Sequence, residues 1–154
     1  MLRLICALIL MLLIATPSLG QQSLIGTYKL ASLVVEIDGT PREVMGKAPH
    51  GYLMITPTHF MTFFTSGDRQ FGTSVDEKAA LFDTLVGFAG TYRIEGHAFV
   101  RTDDVSWTEN MNGKTVVQMY HISGNLLTLT HGPIPWPVDP SKTWTCRQVW
   151  EKIE

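Results

Sequence analysis

The two ends of this chain match each other as strands. Gly26-Thr27-Tyr28 opens a β-branched-rich run, and Arg147-Gln148-Val149-Trp150-Glu151 lies in the last one, with short strand-like runs and tight turns in between. A series of hairpins flanked by such ends is the layout of an antiparallel sheet that closes on itself, because closure removes the bare edges that an open sheet exposes. The expectation is an all-β, eight-stranded, antiparallel up-and-down barrel. A barrel of that size holds packed side chains or one small ligand.

The pattern predicts the elements one by one. Ser23 to Ile37 carries Leu30, Leu33, Val34 and Val35 and ends at Asp38-Gly39, a long first strand. Tyr52 to Thr56 and His59 to Thr65, split by Pro57-Thr58, predict a hairpin. The period then changes. Ser74 followed by Glu77 makes a capping box, and Ala79, Ala80, Phe82, Asp83, Val86 and Phe88 continue at helical spacing until Gly87 and Gly90. One helix is therefore expected between the third and fourth strands, with its apolar side closing a mouth of the barrel or packing on its wall. Strands resume at Thr91 to Glu95, His97 to Trp107, Lys114 to Ser123 and Leu126 to His131, joined at Glu95-Gly96, Asn112-Gly113 and Gly124-Asn125. Gly132 to Lys142 holds Pro133, Pro135, Pro137 and Pro140 around Trp136, too many prolines for a ladder strand, and is expected to be an ordered loop. Thr143 to Ile153 completes eight strands.

The amino-terminal residues read differently. Met1-Leu2-Arg3 supplies a positive charge, Leu4 to Ala15 is an apolar run, and Ser18-Leu19-Gly20 ends in small residues. This is the form of a secretory signal peptide over residues 1–20, leaving a barrel domain over 21–154 and an exported protein, periplasmic or secreted. The apolar run is shorter than the roughly 20 residues a membrane span needs. Formal charge is −2 at pH 7 and becomes more acidic once Arg3 leaves with the leader, so no basic field is present to hold nucleic acid. Of two cysteines, Cys6 lies in the leader, and Cys146 is left without an internal partner. Cys146 is expected to be a buried small hydrophobe.

Chemistry in a barrel depends on strand parity, since alternate residues face inward. On the run His97 to Trp107, one set is His97, Phe99, Arg101, Asp103, Val105 and Trp107. Facing inward, its Arg101 and Asp103 would form a buried pair able to anchor a ligand; facing outward, a solvated ladder. Tyr52, Met54, Met61, Phe63, Tyr92, Phe99, Met119 and Tyr120 together have the composition of an apolar small-molecule site, or equally of a dry core. The histidines at 50, 59, 97, 121 and 131 lack metal-site spacing, and no serine elbow or phosphate-cradling glycine loop occurs. No metal and no cofactor are expected. Acid–base chemistry by His97, Asp103 or Tyr120 stays open.

Leu24-Ile25-Gly26-Thr27-Tyr28, Gly51 to Pro57, the helix Glu77 to Asp83, Gly90-Thr91-Tyr92, Gly124 to Leu129 and Val149-Trp150-Glu151 together resemble the bacterial and fungal lipocalin-like domain family, a calycin-type barrel. The likeness covers nearly all of the chain after the leader. It implies that Gly26, Tyr28, Arg147 and Trp150 close the barrel, with Arg147 lying over the Tyr28 ring. Tyr28 stands where Trp is more usual, His97 falls near a recurrent strand histidine, and the basic residue expected around Gln118 is absent. Some relatives carry ligands and others cyclise polyene-like substrates inside the barrel.

These readings lead to an exported barrel, monomeric or weakly dimeric, that binds a small hydrophobic or amphipathic molecule. The candidate contacts are Tyr52, Met54, Phe63, His97, Phe99, Arg101, Asp103 and Tyr120, and Phe99→Asp is expected to weaken binding without unfolding. The alternatives are a cofactor-free cyclase or isomerase and a dry barrel using Trp136 as a contact.

Overall fold

The computed structural model describes residues 24–136 and 139–154. The signal peptide expected over residues 1–20 and Pro137 of the proline-rich segment lie outside the described residues. The strands are β1 (Gly26–Ile37), β2 (Thr40–Arg42), β3 (His50–Ile55), β4 (His59–Thr65), β5 (Leu85–Glu95), β6 (Ala98–Ser106), β7 (Thr115–Ser123), β8 (Leu126–Trp136) and β9 (Asp139–Lys152). Each neighbour pairs antiparallel, and β1 pairs with both β3 and β9. That double pairing closes eight strands into a barrel, with first and last strands side by side.

The short β2 is a three-residue arm folded back on the end of β1. Asp38 and Gly39 turn it with φ of 48° and 74°, the left-handed pair that a tight hairpin needs and that an Asp-Gly step supplies. Because β2 precedes the hairpin β3–β4, the helix α1 (Val75–Asp83) lies between β4 and β5. The expected place between the third and fourth strands is thus corrected by one. Three residues with two prolyl or polar neighbours carry no alternation from which to read a strand.

Helix α1 starts as expected. The Ser74 hydroxyl accepts from Glu77 N (3.2 Å) while Glu77 Oε2 accepts from Ser74 N (2.9 Å), a reciprocal cap that typically contributes about 1 kcal/mol. It stops at Asp83 rather than running to Gly87 and Gly90. Val86, Phe88 and Tyr92 sit at even positions of β5, so their inward spacing is that of a strand laddered to β4. The helix buries no residue and leans on the barrel through Phe82, whose ring lies 5.2 Å from that of Trp107.

The proline-rich segment is also corrected. β8 continues through Pro133 and Pro135 to Trp136, and β9 begins at Asp139, with register shifts after His131 and Pro135. β7 pairs with β8 only up to Thr130, so the missing N–H groups of these prolines fall where β8 has a partner on one side alone.

Two single-residue bulges decide what faces inward. In β1 the register slips between Leu30 and Ser32, so Tyr28 and Leu30 point in before it and Leu33 and Val35 after it. In β6 the slip lies opposite Ala89 and Gly90, with Asp104 as the extra residue. Phe99, Arg101 and Asp103 therefore point inward, whereas Val105, of the same parity in sequence, is exposed.

One end of the barrel is filled. Tyr28, Leu53, Phe60, Tyr92, Phe99, Leu127 and Trp150 are buried there among Leu24, Leu30 and Ile55. Phe99 stacks on Tyr92 at 4.8 Å and meets Phe60 edge-on at 5.9 Å. Each such ring contributes roughly 1.5–3 kcal/mol on burial. Gly26 closes this end tightly, since a Cβ there would come within 2.5 Å of the Glu154 carbonyl oxygen.

A candidate ligand chamber

The other end of the barrel encloses a chamber of about 550 Å³. Its wall comes from residues of seven strands, among them Leu33, Val35, Phe64, Val86, Val116, Trp144 and Cys146. Val44 and Met45, after β2, flank it on one side. Trp107, Thr108, Asn110 and Met111, in the turn between β6 and β7, flank it on the other. Phe88, Arg101, Gln118 and Gln148 line both this chamber and a void of about 20 Å³ beneath it, next to the filled end. They form the chamber floor, and three of the four are polar.

Arg101 is only 8% exposed and Asp103 is 0% exposed. Arg101 Nη1 lies 2.9 Å from Asp103 Oδ1, yet neither carboxylate oxygen accepts a well-aligned hydrogen bond and Arg101 Nε also lacks one. The guanidinium instead lies over aromatics, with its carbon 4.3 Å from the Phe88 ring centre and 5.4 Å from that of Phe60. Burial lowers the Arg101 pKa, opposed by the Asp103 and Cys146 charges; a guanidinium nonetheless stays protonated in proteins. Burial pushes the Asp103 carboxyl above its usual range, opposed by Arg101 and reinforced by Asp104.

Gln148 is engaged, its Oε1 accepting from Trp150 Nε1 at 3.2 Å. Gln118, 6% exposed, makes no side-chain hydrogen bond within the described chain. His131 lies at the wall with its ring 5.6 Å from that of Trp144. Its Nδ1 is 2.9 Å from the Val117 carbonyl and must donate to it, which leaves Nε2 as an acceptor in the neutral ring. Burial raises the Cys146 thiol pKa against the pull of Gln148 and Arg101, so this cysteine is a poor nucleophile.

The sequence-derived candidates divide sharply. Arg101 reaches the chamber floor, with Asp103 paired to it inside the barrel. Phe99 lies below, in the filled end and against the small void. Tyr52, Met54 and Phe63 are corrected: they lie on the outer face, about half exposed, as do Met61 and Met119. Their neighbours Leu53, Ile55, Phe60 and Phe64 take the inward places, so aromatic content misled where parity decided. His97 is exposed in the turn between β5 and β6, its ring 6.2 Å from that of Tyr120. Tyr120 packs on the core near that turn and donates to the Gly96 carbonyl at 3.3 Å. His97 in the turn and Asp103 on β6 are six positions apart, about 20 Å along extended chain. The acid–base trio His97, Asp103 and Tyr120 is not brought to one point.

At the filled end, Tyr28 donates to the Leu24 carbonyl at 2.8 Å, and burial with the neighbouring Tyr92 pushes its pKa to about 12. Trp150 is fully buried beside Phe64. The cation over Tyr28 is Lys152, at 5.8 Å from the ring, which also donates to the Ile25 carbonyl at 2.7 Å. Arg147 does not fill that role. It occupies an outward position of β9 and pairs with Glu36 at 3.0 Å.

The residues that sequence reasoning missed are Phe88, Trp107, Gln118, His131, Trp144 and Gln148. The even spacing Trp144, Cys146, Gln148, Trp150 on one strand was the available signal for three of the chamber's inward positions. Among the described residues no group of three or more His, Cys, Asp or Glu gathers as a metal site, and no helix is long and apolar enough to cross a membrane. No curated protein matches the chain. A model of the lipocalin-like domain matches residues 25–153, nearly everything from the strand that opens the barrel to the strand that closes it. The chain belongs to the lipocalin-like domain family.

Proposed function

We propose that this protein holds one small, largely apolar molecule in the chamber between the Arg101–Gln118 floor and the turn Trp107–Met111. The observation that carries this is the chamber itself: about 550 Å³ inside a closed barrel, walled mostly by aliphatic and aromatic side chains, with Arg101, Gln118 and Gln148 supplying polar groups at its floor. Ligand sites have this form, an apolar enclosure with a few placed polar groups. At interior packing density the space suits a molecule of roughly 20 non-hydrogen atoms. The signal-peptide pattern of residues 1–20 supports action after export, in the periplasm or outside the cell.

Native mass spectrometry of protein isolated gently from its own host tests this reading, with the same sample denatured as reference. A small molecule that travels with the folded barrel and is absent after denaturation is the expected result. Persistent apo mass after incubation with lipid extracts, together with unchanged fluorescence of Trp107 and Trp144, would count against a ligand-binding role. Localisation is read separately, by fractionating cells that express the full chain.

A further inference from the structure

The chamber floor has two features that together constrain its ligand. Gln118 is nine-tenths buried, inward on β7, and without a side-chain hydrogen bond in the described chain. With no protein partner, this amide can bond only what the chamber holds, and an apolar ligand that displaced water from it would leave it unpaired at a cost that a ligand polar group avoids. Beside it, Arg101 also lines the chamber, and its charge is already met by Asp103 at 2.9 Å. The floor therefore offers N–H donors without a net positive charge.

We propose that the ligand is uncharged and ends in a carbonyl oxygen, as in a ketone, ester or amide, which Gln118 and Arg101 bind at the floor. An alkane would leave Gln118 unsatisfied. A carboxylate would be drawn to Arg101 and repelled by Asp103, so the two charges nearly cancel for it while its own dehydration stays uncompensated. A carbonyl loses far less on leaving water and accepts the same donors. The aliphatic wall formed by Leu33, Val35, Val86 and Val116 takes the rest of the molecule. This inference rests on the chamber being a ligand site.

Four probes with one undecyl chain separate the possibilities: undecyl methyl ketone, lauramide, laurate and tridecane. Each is titrated into the mature protein at pH 8, below its aggregation limit, and followed by the fluorescence of chamber-lining Trp107 and Trp144. The ketone and the amide are expected to bind about tenfold more tightly than laurate and than tridecane, a factor typical of one buried hydrogen bond. Asp103→Asn, which frees the Arg101 charge, is expected to move the preference towards laurate. Gln118→Leu is expected to erase the advantage of the ketone over tridecane, and it reads the same contact if Asp103→Asn does not fold. Laurate or tridecane equal to the ketone in the wild type would overturn the carbonyl assignment and leave the ligand-binding reading intact. Failure of all four to bind would overturn both.

Discussion

Replacing Arg101 by methionine leaves Asp103 with no exposure to water and no counter-charge. At 2.9 Å and an effective dielectric near 20, the attraction that disappears is roughly 6 kcal/mol, while burying the two ions costs several kcal/mol each. The intact pair is thus near break-even, but half of it is not: Arg101→Met is expected to destabilise the barrel by about 3–5 kcal/mol. Asp103→Leu should cost a similar amount, and the double variant Arg101→Met/Asp103→Leu should return to within about 1–2 kcal/mol of the wild type. Acidity supplies an independent check. Arg101 opposes the rise that burial imposes on Asp103, so removing it raises the folded-state pKa further above the unfolded value of about 3.9. A carboxyl with a raised folded pKa gives most stability when protonated and loses it as pH rises through the folded pKa. Arg101→Met should therefore regain stability between pH 8 and pH 5 relative to the wild type. Urea unfolding followed by tryptophan fluorescence at both pH values gives all the required free energies. Costs that simply add across the cycle, with parallel pH profiles, would show that the two side chains do not act as a buried charge pair.

Three further outcomes are expected. Tyr28, with its pKa raised to about 12, contributes stability that is complete below pH 10 and lost as pH rises through 12, worth roughly 3 kcal/mol at most; denaturant melts of wild type and Tyr28→Phe should converge by about that amount, and parallel alkaline profiles would refute it. Phe99→Asp, which from sequence alone looked like a mild wall change, places an unpaired carboxylate against Tyr92 and Phe60 and should prevent folding, whereas Phe63→Asp on the outer face should shift the thermal midpoint only slightly. Lys152→Ala should lower the thermal midpoint more than Arg147→Ala, since Lys152 both covers Tyr28 and bonds the Ile25 carbonyl while the Arg147 side chain is about half exposed; the reverse order in calorimetry would restore Arg147 to the closing role.

The barrel was legible because its signals are local and repeated. Alternation with Asp-Gly, Asn-Gly and Gly-Asn turns marked most strands, and Ser74 with Glu77 marked the start of the helix. What stayed hidden was what one extra residue does. A bulge at Ala31 or Asp104 reverses inside and outside for the rest of the strand, and nothing in the composition of either residue announces it. Arg101 and Asp103 were found as a charged pair among aromatics, but their inward direction depends on the ladder. Tyr52, Met54 and Phe63 were drawn into the site by residue type, although Leu53, Ile55 and Phe64 beside them hold the core. The end of the helix was misplaced because Val86 and Phe88 fit either period until β4 supplies a partner. Gln118 was noticed only as standing where a basic residue was expected; its place on the chamber floor depends on the ladder.

Closure through β1 and β9 also governs the order in which the molecule can form. The contact from Lys152 to the Ile25 carbonyl spans 127 positions, and the one from Thr143 to Asp38 spans 105. Such pairings repay their chain entropy last, and they place the protein among slow-folding, high-contact-order topologies. During synthesis every hairpin from β3 to β8 can assemble while β1 still has one bare edge. The inner wall is then an open, wettable sheet until the fourteen residues of β9 arrive. Enclosure of the chamber is thus a late event in the life of each chain, and any cargo can be enclosed only after the final strand is in place.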